Sequence, residues 1–127
     1  MMLDNNVKQA AAVAVNEVMD KVKGAKAAVV STEDGFEVAS RIENTTEIAR
    51  LSALASSMAA LGAIVGEEGR LGACHKVIIE AAGGHIVMVQ AHRNDVSLVL
   101  SVVAGQDAII GQILYFAGQA TRALEHA

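Results

Sequence analysis

The sequence has few aromatic residues, few basic residues and a single cysteine. Two Phe and one Tyr supply the 2% aromatic content of the 127 residues, and ten Lys and Arg stand against 14 Asp and Glu, for a net charge of −4. Nucleic-acid binding relies on basic side chains that contact phosphates and on aromatic rings that stack on bases. The composition therefore argues against nucleic acid as a partner.

Cys74 is the one cysteine, so the chain has no second thiol for an internal disulfide. Nothing therefore indicates an oxidising compartment. Asp4 stands where an export signal would carry positive charge, and the apolar run 10–15 is short for a signal peptide. We expect no export signal and a cytoplasmic location.

The length of 127 residues predicts a single domain spanning 1–127, and 53% hydrophobic against 19% charged residues predicts a folded core. Val96 to Ala120 has about the length that a membrane-spanning helix needs and carries a single charge, Asp107. Asp107 would lie near the centre of that span, at a cost of about 3 kcal/mol, and Gly105 indicates a turn instead. We expect no membrane span.

Motifs for catalysis and for phosphate binding are also missing. No serine lies in a Gly-x-Ser-x-Gly pattern. Neither common phosphate-binding glycine pattern fits Gly62, Gly66, Gly69 and Gly72. A catalytic group assembled in space from separate segments stays open. We predict no catalytic residues and no cofactor, and do not expect an enzyme.

The first part of the chain has the pattern of a helix followed by a hairpin. Apolar residues from Leu3 to Val22 recur at helical spacing, and Gly24 offers a left-handed stop. Two β-rich runs, 27–32 and 36–41, flank Asp34-Gly35, which is a strong hairpin signal.

A long second helix follows. Asn44 and Glu47 stand three residues apart, as in a capping box, and the helical pattern continues to Gly66.

The last part has the pattern of three strands and a helix. The runs 73–82 and 85–92 flank Gly83-Gly84, which predicts a second hairpin with these two glycines at its centre. Asn94-Asp95 marks a turn before a strand from Val96 to Val103, and Asp107 is expected to cap the final helix.

The predicted order is αββαβββα, an α+β fold. Several strands, including Val77-Ile78-Ile79 and 86–89, are nearly continuous apolar runs, which indicates that both faces of the sheet are covered. We therefore predict an α/β/α sandwich, in which a five-stranded antiparallel sheet lies between the central helix and the two terminal helices.

Three segments in this order resemble the Roadblock/dynein light chain domain, particularly its stand-alone prokaryotic members. Residues 29–40 resemble the first hairpin of that family, with an acidic residue and glycine leading into a strand that ends in Ala-Ser. Residues 44–61 resemble its long central helix. Residues 104–124 resemble its closing strand and helix, with an early helical glycine at Gly111. The resemblance implies a Roadblock/profilin-like fold.

The same resemblance implies a non-catalytic homodimer that binds and regulates a small Ras-like GTPase. Such domains hold the switch region of the GTPase and donate no arginine finger, so Arg50 and Arg70 are candidate partner contacts only. Two alternatives stay open. One is a scaffold or motor-adaptor subunit without effect on GTP hydrolysis, and the other is a small ligand-sensing or hydrolytic domain.

The resemblance also suggests how two copies associate. The strand formed by Val77, Ile78, Ile79 and Glu80 is expected to lie at a sheet edge and to pair with its own copy, which joins two five-stranded sheets into one of ten. An open apolar edge is an aggregation hazard, and only Lys76 and Glu80 supply protective charges here.

The central helix carries two contrasting stripes. We expect its apolar stripe to cover the sheet: Leu51, Leu54, Met58, Leu61 and Val65. The opposite side holds small residues, here called the seam: Ala49, Ala53, Ser56, Ala60 and Ala63. No charge occurs from Leu51 through Gly66, although a helix face in water is usually charged. We predict that the seam contacts the twin helix, the GTPase or both; the alternative is an alanine-rich face in solvent.

His75 and His92 are the best candidate metal ligands. A turn centred on Gly83-Gly84 would place them opposite each other on one face of the sheet. Cys74 would point to the other face, so a third ligand is missing. We therefore predict a histidine pair without a metal.

Overall fold

The computed structural model describes residues 3–43, 48–93 and 96–126. Over these residues the elements are α1 (Asn5–Lys21), β1 (Ala25–Thr32), β2 (Glu37–Ile42), α2 (Ile48–Glu68), β3 (Lys76–Ala81), β4 (Gly84–Arg93), β5 (Val96–Gly105) and α3 (Ile110–Glu125). The strands form one antiparallel sheet in the order β2-β1-β5-β4-β3. The predicted order αββαβββα is confirmed.

Helices cover both faces of the sheet. One buried cluster joins α1 and α3 to one face and includes Val18, Leu100 and Ile113. A second, smaller cluster joins α2 to the other face: Val29, Leu51, Ala55, Met88 and Val99. Because side chains alternate between the faces of a strand, the central strands need apolar residues at nearly every position. The predicted α/β/α sandwich is confirmed.

Two glycines with positive φ shape the first part of the fold. Gly24, at φ +86°, follows α1 as the sequence predicts. Gly35, at φ +92°, donates its N–H to the Thr32 carbonyl oxygen at 3.0 Å within the β1–β2 hairpin. A Cβ on Gly35 would lie 3.2 Å from the Cα atom of Ala53, so the hairpin packs closely on α2.

The second hairpin differs from its prediction by one residue. Ala81 pairs with Gly84, so Ala82 and Gly83 form the two-residue loop and Gly84 is the first residue of β4. Gly84 has φ +149°, and a Cβ there would collide with the Ala104 carbonyl oxygen of β5. The close approach of β5 therefore reserves this position for glycine.

The prediction that Asp107 caps the last helix is wrong. The Ala108 N–H donates to the Gly105 carbonyl oxygen at 3.1 Å, which forms a turn after β5. The helix then begins at Ile110, with Ile109 at the cap position and no side-chain cap bond. Asp107 lies within this turn, three residues before the first helical residue, Ile110.

Some predicted boundaries lie outside the described residues. These are the capping box of Asn44 and Glu47 and the turn at Asn94-Asp95. At its other end, α2 continues to Glu68, two residues beyond the predicted stop at Gly66.

The stretch Val96 to Ala120 is divided between β5 and α3 and is not one helix. Among the described helices, α2 is long and apolar enough over Ala49–Glu68 to cross a membrane, judged by length and composition only. The core helix of a globular protein passes the same test, so this finding does not establish a span.

Candidate interaction surface

The helix α2 packs on the sheet through small residues. Ser52 and Ala55 are buried beside Leu51. Further along, a Cβ on Gly62 would lie 2.7 Å from the Cys74 Sγ atom. Side chains of this size allow the helix axis to approach the sheet closely.

This packing corrects the predicted apolar stripe. Leu51 and Met58 face the sheet, but Leu54, Leu61 and Val65 are 54%, 53% and 67% exposed. The physical reason is that the small residues make the closer contact with the sheet, which turns larger side chains outward. We call the exposed set the outer strip: Leu54, Leu61, Ile64 and Val65.

The seam also lies away from the core. Ala49, Ala53, Ala60 and Ala63 are exposed, whereas Ser56 is partly buried. The Ser56 hydroxyl donates to the Glu33 carbonyl oxygen, which ties the β1–β2 loop to α2. That a partner covers the seam stays a prediction.

The strand β3 forms one edge of the sheet, as the sequence predicts. The Gln90 N–H donates to the His75 carbonyl oxygen at 3.0 Å. Because bonding direction alternates along an antiparallel strand, the N–H groups of Val77 and Ile79 point toward β4 and that of Ile78 points to the open edge. Ile78 is 46% exposed. Pairing of this edge with a second copy stays a prediction.

An apolar groove of about 570 Å³ links α2 to this edge. It runs between the second half of α2 and residues 71–77, and Leu61, Val65 and Val77 contribute to its walls. Leu71, on its other side, is 86% exposed. The outer strip, the groove and the β3 edge thus form one continuous surface.

Two arginines lie near the ends of α2. Arg50 is exposed in its first turn, and Arg70 is exposed just beyond its last turn, at φ +57°. The helix between them spans about 30 Å at 1.5 Å per residue. The two side chains are therefore candidates for separate contacts.

The two candidate histidine ligands are not opposite each other. The loop shift places His75 beside Gln90, whereas His92 pairs with Ser97 of β5. The His92 Nδ1 atom lies 3.0 Å from the Ser97 Oγ atom. Across the residues that the structure describes, no group of three or more His, Cys, Asp or Glu side chains could hold a metal ion.

A second groove, of about 360 Å³, lies beside the seam. It contains His92 and Ser97 together with the loop carboxylates of Glu33 and Asp34. No sequence motif marks this group, because its members come from three separate segments.

Neither a family model nor a curated protein matches the sequence. Structural comparison does find matches. A Roadblock/LC7 domain from Streptomyces avermitilis has a TM-score of 0.80 at 20% identity, covering 91% of this chain and 94% of that one. The gliding protein MglB from Thermus thermophilus has a TM-score of 0.84 at 16% identity, covering 99% and 93%. MglB in a tetrameric arrangement has a TM-score of 0.87 at 17% identity, with the same coverage.

These matches extend over nearly the whole chain and over nearly the whole of each matched domain. They place the chain among α/β/α sandwiches with an antiparallel sheet. More particularly, the chain has the fold of the Roadblock/LC7 domain, which confirms the fold that the sequence resemblance implied. At such identities the likeness concerns the fold alone.

Proposed function

We propose that this chain is a non-catalytic, cytoplasmic, dimeric interaction module that binds and regulates a small Ras-like GTPase. The observation that carries the proposal is the outer strip, a set of large apolar side chains on α2 that lie outside both buried clusters. Leu54, Leu61 and Ile64 are each more than half exposed. Contiguous exposed apolar surface on a folded domain usually marks a binding site.

The β3 edge supports the dimeric part of the proposal. Ile78 exposes both an apolar side chain and an outward N–H at this edge. Pairing two copies along β3 would satisfy the outward backbone groups and would bury part of the adjoining groove. The outer strips of the two subunits would then lie on the same face of a joined sheet.

The arrangement of polar groups supports the non-catalytic part. The Cys74 thiol lies 3.4 Å from the Lys76 carbonyl oxygen, beside an apolar groove. Asp20 pairs with Arg41 at 2.6 Å, and Glu17 pairs with Lys21 at 2.9 Å. These contacts have the character of surface ion pairs and local packing.

One observation favours the alternative of a hydrolytic domain. The Ser97 hydroxyl and the His92 imidazole are in hydrogen-bond contact at the edge of the second groove. A working nucleophile needs a base of this kind, but also a group that orients the base and donors that stabilise an oxyanion. Among the described residues no hydrogen bond joins a carboxylate to the His92 ring, and Glu125 accepts from the backbone N–H of His92 at 2.9 Å.

The test uses the purified chain and the Ras-like GTPases of its source organism, each loaded with GTP analogue or with GDP. Nucleotide-dependent binding together with a changed rate of GTP hydrolysis supports regulation. Binding without a rate change supports a scaffold or motor adaptor. Labelling by a fluorophosphonate that Ser97→Ala abolishes would replace the proposal with a hydrolase, and a bound metabolite without any GTPase binding would replace it with a ligand sensor.

A further inference from the structure

In the described part of the chain, three buried serine hydroxyls have no hydrogen-bond partner in the protein. Ser31 of β1 is 0% exposed, and Ser101 of β5 and Ser52 of α2 are each 1% exposed. Within the described part of the chain none of their Oγ atoms meets a donor or acceptor. The buried Thr121 of α3 is different, because its hydroxyl donates to two carbonyl oxygens of its own helix at 3.0 Å.

All three serines belong to the layer between α2 and the sheet. In the β1–β5 register, Ser31 is opposite Val99 and Ser101 is opposite Val29. Directly opposite residues share a face of the sheet, and both valines pack under α2. Ser52 follows Leu51 on the buried side of α2.

This layer buries fewer apolar side chains than the layer on the other face of the sheet. Its buried cluster has five residues with one leucine, Leu51, and the large side chains of the outer strip lie outside this cluster. The opposite layer buries larger side chains, among them Leu98, Ile113 and Leu124. A buried hydroxyl gives up its hydrogen bonds to bulk water, and here no protein group among the described residues replaces them, which weakens the layer further.

We propose that α2 is a separable layer: it opens from the sheet as a unit while α1, α3 and the sheet stay folded, and the buried serines set how readily it opens. Local opening of this kind is expected where an element has few buried apolar contacts. The proposal concerns the chain alone and does not depend on its partner.

Native-state hydrogen exchange measures the opening directly. Amides of α2 should exchange together, through an opening whose equilibrium constant is at least tenfold larger than that for the amides of β1, β4 and β5. Exchange of α2 only through global unfolding, at the same opening constant as the central strands, would overturn the proposal.

The double substitution Ser31→Ala and Ser101→Ala tests the role of the hydroxyls. Removing both should slow exchange of α2 by about fivefold or more per serine. The slowest sheet amides should slow by a similar factor, because global unfolding exposes the same two positions to water. Alanine is depleted in strands, so slower exchange would not arise from strand propensity. Thr121→Val is the matched control, because it removes a hydroxyl that already has partners, and it should not slow exchange of α2.

The measurement is made at two protein concentrations tenfold apart, on the double serine variant, on Thr121→Val and on the parent. Association over the outer side of α2 would slow exchange in all three proteins alike at the higher concentration. The ratio of the α2 exchange rates of the double variant and the parent should be the same at both concentrations. The single variant Ser101→Ala repeats the test with a smaller change. If neither serine variant slows exchange of α2, the hydroxyls do not control the opening and the proposal is wrong.

Discussion

At the scale of single residues, Gly84 is a position where the neighbouring backbone leaves no room for a side chain. Gly84→Ala would force a side chain into a φ of +149° and against the β5 carbonyl oxygen of Ala104. We expect a loss of at least about 2 kcal/mol in the free energy of unfolding, measured by urea denaturation. Gly111→Ala is the control, since no atom lies within 4 Å of its Cβ position and alanine favours a helix. Equal stability of Gly84→Ala and the parent would contradict the conclusion that this position requires glycine.

The place of Gly84 in the second hairpin could not be predicted from the sequence alone. Gly24 and Gly35 each adopt the positive φ that their turns predict. In the sequence, Gly83-Gly84 fits the two-residue loop of a hairpin. The structure instead has Ala82 and Gly83 in the loop, because β5 lies so close to Gly84 that this position needs a glycine within the strand. The predicted His75–His92 pair depended on a Gly83-Gly84 loop and failed with it.

At the scale of elements, the orientation of α2 was the feature that the sequence pattern did not determine. A stripe of large apolar residues usually marks the buried side of a helix. Here Ala55 and Gly62 lie against the sheet and Leu54 and Leu61 lie outside. How closely a helix approaches a sheet depends on both surfaces, and Gly35 and Cys74 contribute to that distance from segments remote in sequence.

The β3 edge leads to a prediction about association. Ile78→Pro removes the N–H that points to the open edge and spares the bonds to β4. We expect the variant to fold and to be a monomer in light scattering, unlike the dimeric parent, or to be insoluble if the unpaired edge aggregates. Ile79→Pro is the contrasting control, because it removes an N–H that points toward β4 and should lower the stability of the chain itself. A soluble Ile78→Pro dimer would place the interface elsewhere.

The seam leads to a second prediction for this helix. Ala53→Glu and Ala60→Glu should each cost the isolated fold only a few tenths of a kcal/mol, because glutamate is a good helix former. In a close-packed contact the same changes add bulk and unpaired charge, and should weaken association by several kcal/mol. Ala53→Gln and Ala60→Gln separate the effect of size from that of charge. Sedimentation and partner binding like those of the parent would show that the seam faces solvent.

At the scale of the whole molecule, the order of elements and the two-layer cover of the sheet followed from the sequence. Nearly continuous apolar strands need helices on both faces, and three helices can meet that need in few ways. The surface was harder to predict, because an exposed leucine and a buried one look alike in a sequence. The outer strip became visible only once Leu54 and Ile64 were placed outside the core.

The central claim is that this outer strip binds a GTPase, and the affinity of an Ile64→Glu variant tests it most directly. Ile64 is 57% exposed on α2, and Val13, 61% exposed on α1, supplies the matched control Val13→Glu on the opposite layer. Dissociation constants for the GTP-loaded Ras-like GTPase are measured by titration calorimetry, with light scattering to check that each variant keeps the subunit number of the parent. We predict that Ile64→Glu weakens binding by about 2 kcal/mol, roughly thirtyfold, and that Val13→Glu leaves it unchanged. Equal affinities for the parent, Ile64→Glu and Val13→Glu would contradict the account.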